Sequence, residues 1–453
     1  MPRLCIHGAV LVLPGGERRG GVVVGDDGRI EAVLDGDARA AADTAIDARG
    51  RLLFPGFIDA HVHMREPGFT HKEDFTSGTL AAAAGGITTV LCMPNTRPAV
   101  DSFAGLVHAR RTAEGRAAVD YGFQAAITRS NLADLAGLWT AGVTSFEAFM
   151  AEVPEPDRLD DAAMLRAALA EVARLGAVVG VLCASQPIVD AARARLVAAG
   201  RTDVRAVAEA RPPLNETIAV AALIEAVADT GARALVRQVS AARSFALLRR
   251  AKSDPATAKM MAEVTPHNLT LDDGVLDRLG TTAQMLPPLR RAEDCAAAVA
   301  ALKDGTVDWV GSDHAPHAPD EKDRTDAWTA AGGTPGLDTM AAAVLDAAAR
   351  HGIPWTRVAE VLSSRPAAVN GLDDRKGRIA VGLDGDLTLV DPALRRTVTR
   401  DTIRSRAGRS VFEGATLTGW PVLTTLRGHV AAEDGKPVLG AFRGDLVARR
   451  TAS

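Results

Sequence analysis

The first 53 residues contain short apolar runs that are separated by glycine and aspartate. Three such runs are LCIHGAVLVLP, GGVVVGDDGRIEAVL and TAIDARGRLLF, and turns are marked by Gly15-Gly16 and Asp26-Asp27-Gly28. Runs of this length, rich in branched aliphatic residues and bounded by turn residues, are typical of β-strands. The pattern therefore predicts a small β unit, and not a βα repeat, at the beginning of the chain.

From Leu53 onward, apolar runs of strand length alternate with longer, alanine-rich stretches. The strand-like runs are ITTVLCM, YGFQAAI, VTSFEAFM, AVVGVLC, ALVRQVS, MMAEVTP and VDWVGSD, beginning at residues 87, 121, 143, 177, 234, 260 and 307. The helix-like stretches cover residues 101–114, 131–140, 160–175, 187–199, 214–230, 242–253 and 337–351. About eight such alternations predict an α/β fold with a parallel, TIM-like (β/α)₈ barrel, with a doubly wound open sheet as the alternative. No GxGxxG motif follows a first strand, which argues against a dinucleotide-binding sheet.

The β pattern returns near residue 376, with GRIAVGLDGDLTLVDP and then TLTGWPVLTTLRGHVAAEDGKPV. A β unit at each end of a barrel indicates that the two ends pair with each other. We therefore expect residues 1–53 and 376–453 to form one small β-sandwich domain, and residues 54–375 to form the barrel.

Composition and charge exclude several classes of function. The chain has 453 residues, with 52 Lys and Arg against 56 Asp and Glu, so its net charge of −4 gives no indication of a nucleic-acid or membrane partner. The N-terminus runs straight into a strand pattern, and we find no apolar run of 18 or more residues, so neither a signal segment nor a transmembrane helix is expected. The four cysteines are widely spaced, which fits a reducing cytoplasm better than a disulfide scaffold.

Two histidines lie one residue apart behind the apolar run 52–58. On a β-strand, residues i and i+2 point to the same side, so His61 and His63 would aim both imidazoles at one point. Arg65 would continue the alternation and place a cation beside them. For an arbitrary His-x-His, two hydrogen-bonded core histidines are the better interpretation, but the polar neighbours here favour a metal site.

In a (β/α)₈ barrel the reactive groups lie at the carboxyl ends of the strands. The polar residues predicted at these ends are His61, His63, Arg65, Asn95, Glu147, His267, Asp313, His314 and His317. Two imidazoles and a carboxylate suit zinc, which can lower the pKa of a water molecule. Asp313 could bind the metal, accept the water's proton, or do both. For Glu147, a metal-ligand role and a structural pairing with an arginine are equally good interpretations, whereas Cys183 is best read as a small buried apolar residue.

At these residues the chain resembles the cyclic amidohydrolases of the amidohydrolase superfamily, namely dihydroorotase, allantoinase and hydantoinase. The resemblance covers nearly the whole chain. The segments that look like dihydroorotase are DAHVHMREPG (59–68), GSDHAPHAPDEK (311–322), CMPNTRP (92–98), EVTPHNLTL (263–271), MLPPLRRAED (285–294) and GTPGLDT (333–339). Two later segments, GRIAVGLDGDLTLVDP and SRAGRSVFEG, are more similar to allantoinase.

The resemblance implies a barrel with a small β domain and hydrolysis, or reversible formation, of a cyclic amide at a zinc site. It makes His61, His63 and Asp313 metal ligands, with Asp313 also moving the proton. Arg65, Asn95 and His317 would hold a substrate carboxylate, and we expect His267 in the substrate site as well. The substrate would be a carboxylate-bearing cyclic amide or its open N-carbamoyl amino acid.

The chain departs from the family pattern at the second metal. Many relatives carry a carboxylated lysine where this chain has Glu147, which could still bridge two metals. Two histidines of the pattern are replaced by Leu182 and Gln238, of which leucine cannot bind zinc and glutamine binds it poorly. We therefore expect one zinc ion per chain.

Three functional hypotheses follow from this pattern. The first is a mononuclear cyclic-amide hydrolase or cyclase, and the second is a diverged hydrolase of a specialised pathway. The third is a catalytically inactive homologue that serves as a structural subunit or small-molecule binder. The intact residues of the first metal site and of the carboxylate site favour the first two. By analogy with relatives, a homodimer or homotetramer is expected.

Overall fold

The computed structural model of the chain describes residues 3–440 and 444–450. In this part of the chain the strands fall into three groups along the sequence. The first group is β1 (Leu4–Leu13), β2 (Gly16–Val24), β3 (Ile30–Asp35), β4 (Thr44–Asp47) and β5 (Leu52–Pro55). The second group is β6 (Phe57–Val62), β7 (Ile87–Cys92), β8 (Asp120–Phe123), β9 (Ala125–Ala126), β10 (Phe146–Phe149), β11 (Val178–Leu182), β12 (Arg233–Val236), β13 (Met261–Val264) and β14 (Trp309–Val310). The third group is β15 (Leu387–Thr397), β16 (Thr416–Leu426), β17 (His429–Glu433) and β18 (Lys436–Pro437).

Helices follow most strands of the second group and lead from its last strand to the third group. They are α1 (Phe75–Ala84), α2 (Phe103–Ala113), α3 (Leu135–Thr140), α4 (Ala162–Arg174), α5 (Gln186–Ala198), α6 (Val204–Glu209), α7 (Pro213–Thr230), α8 (Ala242–Ser253), α9 (Pro266–Thr270), α10 (Val275–Leu279), α11 (Ala292–Lys303), α12 (Pro319–Lys322), α13 (Met340–His351), α14 (Trp355–Ala359) and α15 (Arg365–Val369). A π-helical turn at Glu360–Ser364 joins the last two. Of the helices described, none is both long and apolar enough to cross a membrane.

The second group of strands closes into a parallel barrel. Strands β6, β7 and β8 form one arc, and β9 to β14 form a second arc in sequence order. The arcs join where β8 runs into β9, with only Gln124 between them. They meet again where His63 N–H donates to the carbonyl oxygen of His314 at 2.8 Å. This closure brings the first and last strand ends together, as a (β/α)₈ barrel requires.

The first and third groups of strands form one nine-stranded sheet. Its order is β18-β17-β16-β15-β5-β1-β2-β3, with β4 beside β1. The two ends of the chain meet at β5, where Leu53 lies between Leu11 on a parallel strand and Leu389 on an antiparallel one. These three leucines belong to one apolar core with other buried residues of both ends. The predicted barrel with a small β domain built from both termini is therefore confirmed, while the domain bounds at residues 53 and 375 remain predictions.

Several predicted strands are shorter than expected. ALVRQVS is a strand only to Val236, and VDWVGSD forms a strand only at Trp309–Val310. In both segments the chain turns into the left-handed region soon afterwards, at Gln238 and Asp313, so pairing cannot continue. Residues 377–382 lie outside the strands, because Gly377 and Gly382 both have positive φ. Among the helices, the two longest that were not predicted are α1 and α11; the shorter α6, α9, α10, α12, α14 and α15 were not predicted either.

A buried ion cluster joins the barrel to the small domain. The ammonium of Lys376 lies 2.7 Å from Asp120 on β8, 3.0 Å from Asp384 and 2.6 Å from Asp386. Arg427, in the turn after β16, makes a further ion pair with Asp120. Burial alone would lower the pKa of Lys376, but the three aspartates raise it above its usual value. The carboxyl oxygens come close enough to hold a metal, yet the ammonium already serves as their cation.

Replacing Lys376 by methionine should destabilise the protein by about 3–5 kcal/mol, because three buried carboxylates lose their shared cation. Urea unfolding followed by circular dichroism measures this loss. The matched control is Lys436→Met, at an exposed position of β18, which should leave the free energy of unfolding nearly unchanged. An equal midpoint for Lys376→Met and the unaltered chain would show that the cluster does not stabilise the domain junction.

Candidate functional site

The carboxyl ends of the barrel strands surround a cleft of about 230 Å³. Of the residues predicted for the site, those that line the cleft are His61, His63, Arg65, Asn95, Glu147, Asp313 and His317. Its apolar wall consists of Met93, Phe149, Val153, Leu182, Leu286 and Ala315. The structure thus gathers side chains from six separate segments of the sequence at one place.

Three predicted ligands form a tight group inside this cleft. Ligand atoms of His61, His63 and Asp313 all lie within 4.8 Å of one another. The Oδ1 atom of Asp313 is 3.4 Å from Nε2 of His61 and 3.3 Å from Nε2 of His63. Two imidazole nitrogens and one carboxylate oxygen that converge in this way fit a zinc ion with an open coordination position.

The other ring nitrogen of each histidine is held by a second side chain. His61 Nδ1 lies 2.6 Å from Oε1 of Glu263, and His63 Nδ1 lies 2.7 Å from Oδ1 of Asn95. Both oxygens accept, so each Nδ1 carries the proton and each Nε2 lone pair is free for a metal. Glu263 was missed by the sequence analysis, although a single acidic residue in the apolar run MMAEVTP is the same signal that identified Glu147.

The surrounding charges shift the pKa values of the three predicted ligands in different directions. Burial, with the nearby Arg65, lowers the pKa of His63 to about 4. Burial alone would raise the pKa of Asp313, but the two histidines lower it to about 2. A neutral imidazole and an ionised carboxylate are therefore present near pH 7. The pKa of His61 is raised, because Glu263 and Asp313 outweigh the effect of burial.

Backbone strain is concentrated at the site. Arg65, Gln238 and Asp313 have φ angles of +59°, +52° and +47°, which side chains other than glycine rarely adopt. Each such residue costs about 1–3 kcal/mol and persists only where its surroundings enforce it. The strand alternation that was expected to place Arg65 beside the two histidines thus ends with β6. A left-handed turn brings the side chain of Arg65 to the cleft instead.

A cationic wall lies on one side of the metal-ligand group. Arg65 donates from Nε to the carbonyl oxygen of Pro316 at 3.1 Å, and its Nη2 lies 3.1 Å from Nε2 of His317. The ammonium of Lys72 is 3.3 Å from Nδ1 of the same ring. Burial, Arg65 and Lys72 together lower the pKa of His317 to about 3, so this ring is neutral. Lys72 was not predicted because site residues were expected only at the carboxyl ends of strands. It lies instead in a loop after Pro67-Gly68.

The cleft is also lined by the residues that depart from the family pattern. Both carboxyl oxygens of Glu147 accept hydrogen bonds from Arg237. The side-chain amide of Gln238 donates to Oδ2 of Asp313 at 2.5 Å. Leu182 presents an apolar side chain to the cleft. The arginine pairing is thus the observed state of Glu147.

His267 does not line the cleft. It is buried, and its Nε2 has no hydrogen-bond partner among residues 3–440 and 444–450. Burial lowers its pKa to about 4, despite the opposing effect of Asp313. The substrate-binding role expected for this ring therefore remains a prediction.

Comparison with known proteins agrees with the barrel fold. A family model described as "Amidohydrolase family" matches residues 136–431, and one described as "Dihydro-orotase-like" matches residues 50–133. The protein is 34% identical over 438 residues to a dihydroorotase of Methanosarcina mazei, covering 93% of each chain. It is 35% identical over 428 residues to an allantoinase of Rubrobacter xylanophilus, covering 93% of this chain and 94% of the relative.

A solved structure extends the likeness to the whole fold. The L-hydantoinase (dihydropyrimidinase) from Arthrobacter aurescens superposes with a TM-score of 0.94 at 29% sequence identity, over 99% of this chain and 100% of the other. The match includes both the barrel and the sheet formed by the two chain ends. On its fold and its sequence, the chain belongs to the amidohydrolase family.

Proposed function

We propose that the protein is a metal-dependent cyclic amidohydrolase that opens, or closes, a cyclic amide bearing a carboxylate. The observation that carries this proposal is the metal-ligand group of His61, His63 and Asp313 beside the cationic wall of Arg65. Relatives named dihydroorotase, allantoinase and hydantoinase share the fold and support the reaction class. The open form of the substrate would be an N-carbamoyl amino acid.

We propose one zinc ion per chain as the cofactor. His61 and His63 would bind it through Nε2, and Asp313 through Oδ1, which faces both rings. Zinc held there would supply a Lewis acid that makes water a stronger nucleophile at neutral pH. Glu147 remains a predicted fourth ligand, but in the structure its two oxygens are engaged by Arg237.

Asp313 is the group that would move the proton. Its depressed pKa keeps it ionised, so it can accept the proton that water loses on attacking the amide carbon. The same proton then goes to the ring nitrogen as the carbon–nitrogen bond breaks, so no other proton donor is needed. Gln238 holds the second oxygen of the carboxylate and thereby fixes its plane.

Arg65, Asn95 and His317 would bind the substrate carboxylate. A guanidinium can make two charge-assisted hydrogen bonds to a carboxylate, which gives both orientation and affinity. Lys72 strengthens the positive potential of this wall through its contact with His317. His267 would complete the substrate site if the ring became accessible to a bound ligand.

A catalytically inactive binding protein is the second candidate, favoured by Leu182 and Gln238 at positions where relatives have histidines. It would bind the same carboxylate-bearing rings without turnover. Assays with dihydroorotate, allantoin and hydantoins distinguish the two. We propose a cytoplasmic location, because the four cysteines, all in the described part of the chain, form no disulfide. We also propose a homo-oligomeric state, by analogy with relatives.

Replacing His61 by alanine should abolish zinc binding without unfolding the barrel, because the ring supplies a ligand nitrogen and its neighbours remain packed. Elemental analysis of the purified variant gives the zinc content, and circular dichroism reports the fold. His108→Ala, at an exposed position of α2, is the control and should keep its zinc. Unchanged zinc content in His61→Ala would reject the metal site.

Replacing Arg65 by methionine should weaken the binding of dihydroorotate-like acids about tenfold to a hundredfold, because a charged hydrogen-bond donor is lost. Zinc content should not change, since Arg65 is not a ligand. Calorimetric titration measures the affinity, and Arg250→Met, on the exposed face of α8, is the matched control. Equal affinities of Arg65→Met and the unaltered chain would remove carboxylate-bearing rings from the substrate class.

A further inference from the structure

We propose that the guanidinium of Arg237 is a permanent cation at the place where the family pattern implies a second metal ion. In this view the protein holds one metal ion, and Arg237 is a positioning residue for the metal ligand His61. The inference rests on the proposed function, because it concerns the same metal site.

Arg237 lies in the barrel interior with all of its hydrogen-bonding capacity used. A guanidinium has five N–H groups. They reach both oxygens of Glu147, one oxygen of Glu263 at 2.5 Å, the side-chain oxygen of Gln124 at 2.6 Å and the carbonyl oxygen of Ala60 at 3.1 Å. No N–H group remains to polarise a substrate carbonyl, so Arg237 acts on the protein and not on the reacting ring.

Two glycines show that the barrel is shaped around these ion pairs. A Cβ atom at Gly180 would lie 2.4 Å from Nε of Arg237 and 2.5 Å from an oxygen of Glu147. A Cβ atom at Gly311 would lie 2.8 Å from an oxygen of Glu263 and 2.9 Å from Cβ of His61. Gly180 on β11 and Gly311, directly after β14, thus leave space for the network, and any larger residue at either position would displace it.

The charges of three buried carboxylates and of Arg237 would be balanced by a single divalent ion. Glu147, Glu263 and Asp313 are buried carboxylates, and Arg237 supplies one positive charge against them. The set therefore carries a net charge of −2 when ionised, which one zinc ion cancels. A second zinc ion would leave an excess positive charge in a water-poor interior, where uncompensated charge is costly.

Arg237 reaches the metal ligand through Glu263. One oxygen of this carboxylate accepts from His61 Nδ1, while the other accepts from Arg237 and from the indole N–H of Trp309 at 2.9 Å. With both oxygens held, Glu263 cannot rotate, and the Nε2 atom of His61 stays directed at the metal position. Side chains that orient metal ligands in this way typically change affinity by about tenfold to a hundredfold when removed.

The first experiment measures zinc on the full-length protein after metal removal and reloading. Elemental analysis gives the stoichiometry, and competition with a chromophoric chelator gives the affinity. We expect one zinc ion per chain, even with zinc in excess. Glu147→Gln should keep that ion with an affinity within about threefold, since the three ligands are intact. Loss of the ion in Glu147→Gln would overturn the inference and identify Glu147 as a ligand.

The second experiment changes Arg237 itself. Arg237→Met should weaken zinc binding about tenfold to a hundredfold and shift the visible spectrum of the cobalt-loaded protein, because His61 is no longer held. Arg237→Lys should restore part of the affinity. If Arg237→Met fails to fold, the double variant with Glu147→Gln removes both members of the pair and should show the same loss.

Arg290→Met is the matched control, since Arg290 is another buried arginine, bonded to Ser240 and to the backbone of Arg211. It should lower stability but leave zinc affinity and the cobalt spectrum unchanged. Two zinc ions in the unaltered chain would overturn the inference and the proposed metal count but leave the proposed hydrolase activity standing, whereas no zinc would overturn all three. An unchanged affinity and spectrum in Arg237→Met would also overturn the positioning role.

Discussion

The interior of this barrel is organised by the need to pair every buried charge. Glu147 and Glu263 project from separate strands into a space with little water, where an ionised carboxylate is stable only beside a cation. The guanidinium of Arg237 satisfies both at once. The position of His61 follows from this arrangement, because the same Glu263 carboxylate holds its ring.

The site consists of two layers with different tasks. The inner layer consists of the ion pairs of Arg237; it holds the ring of His61 through Glu263 and leaves no N–H group of Arg237 free for a substrate. The outer layer lines the cleft and includes Arg65, Leu182 and Phe149. Asn95 belongs to both layers, because its oxygen holds His63 while its amide group lies at the cleft. This separation is consistent with a family in which similar barrels carry several ring-opening activities.

The barrel and the grouping of His61, His63 and Asp313 could be predicted because they depend on local patterns. Strand and helix periods gave the alternation, and the i, i+2 spacing of His61 and His63 placed two rings on one side of β6. The partner of Glu147 could not be read in this way, since Arg237 is 90 residues away and the pairing depends on strand order and register. The direction of the Arg65 side chain could not be predicted either. It depends on a left-handed backbone conformation at Arg65 itself, where a glycine would normally indicate such a turn.

The ion cluster around Lys376 also affects how the protein folds during its synthesis. Asp120 belongs to the third barrel strand and is synthesised long before Lys376 and Arg427, its two cations. Domains generally fold as units, beginning with the parts that leave the ribosome first. The nascent barrel therefore carries an unpaired acidic group on β8 until the last part of the chain emerges. Until then, water must solvate a carboxylate that is buried in the complete protein.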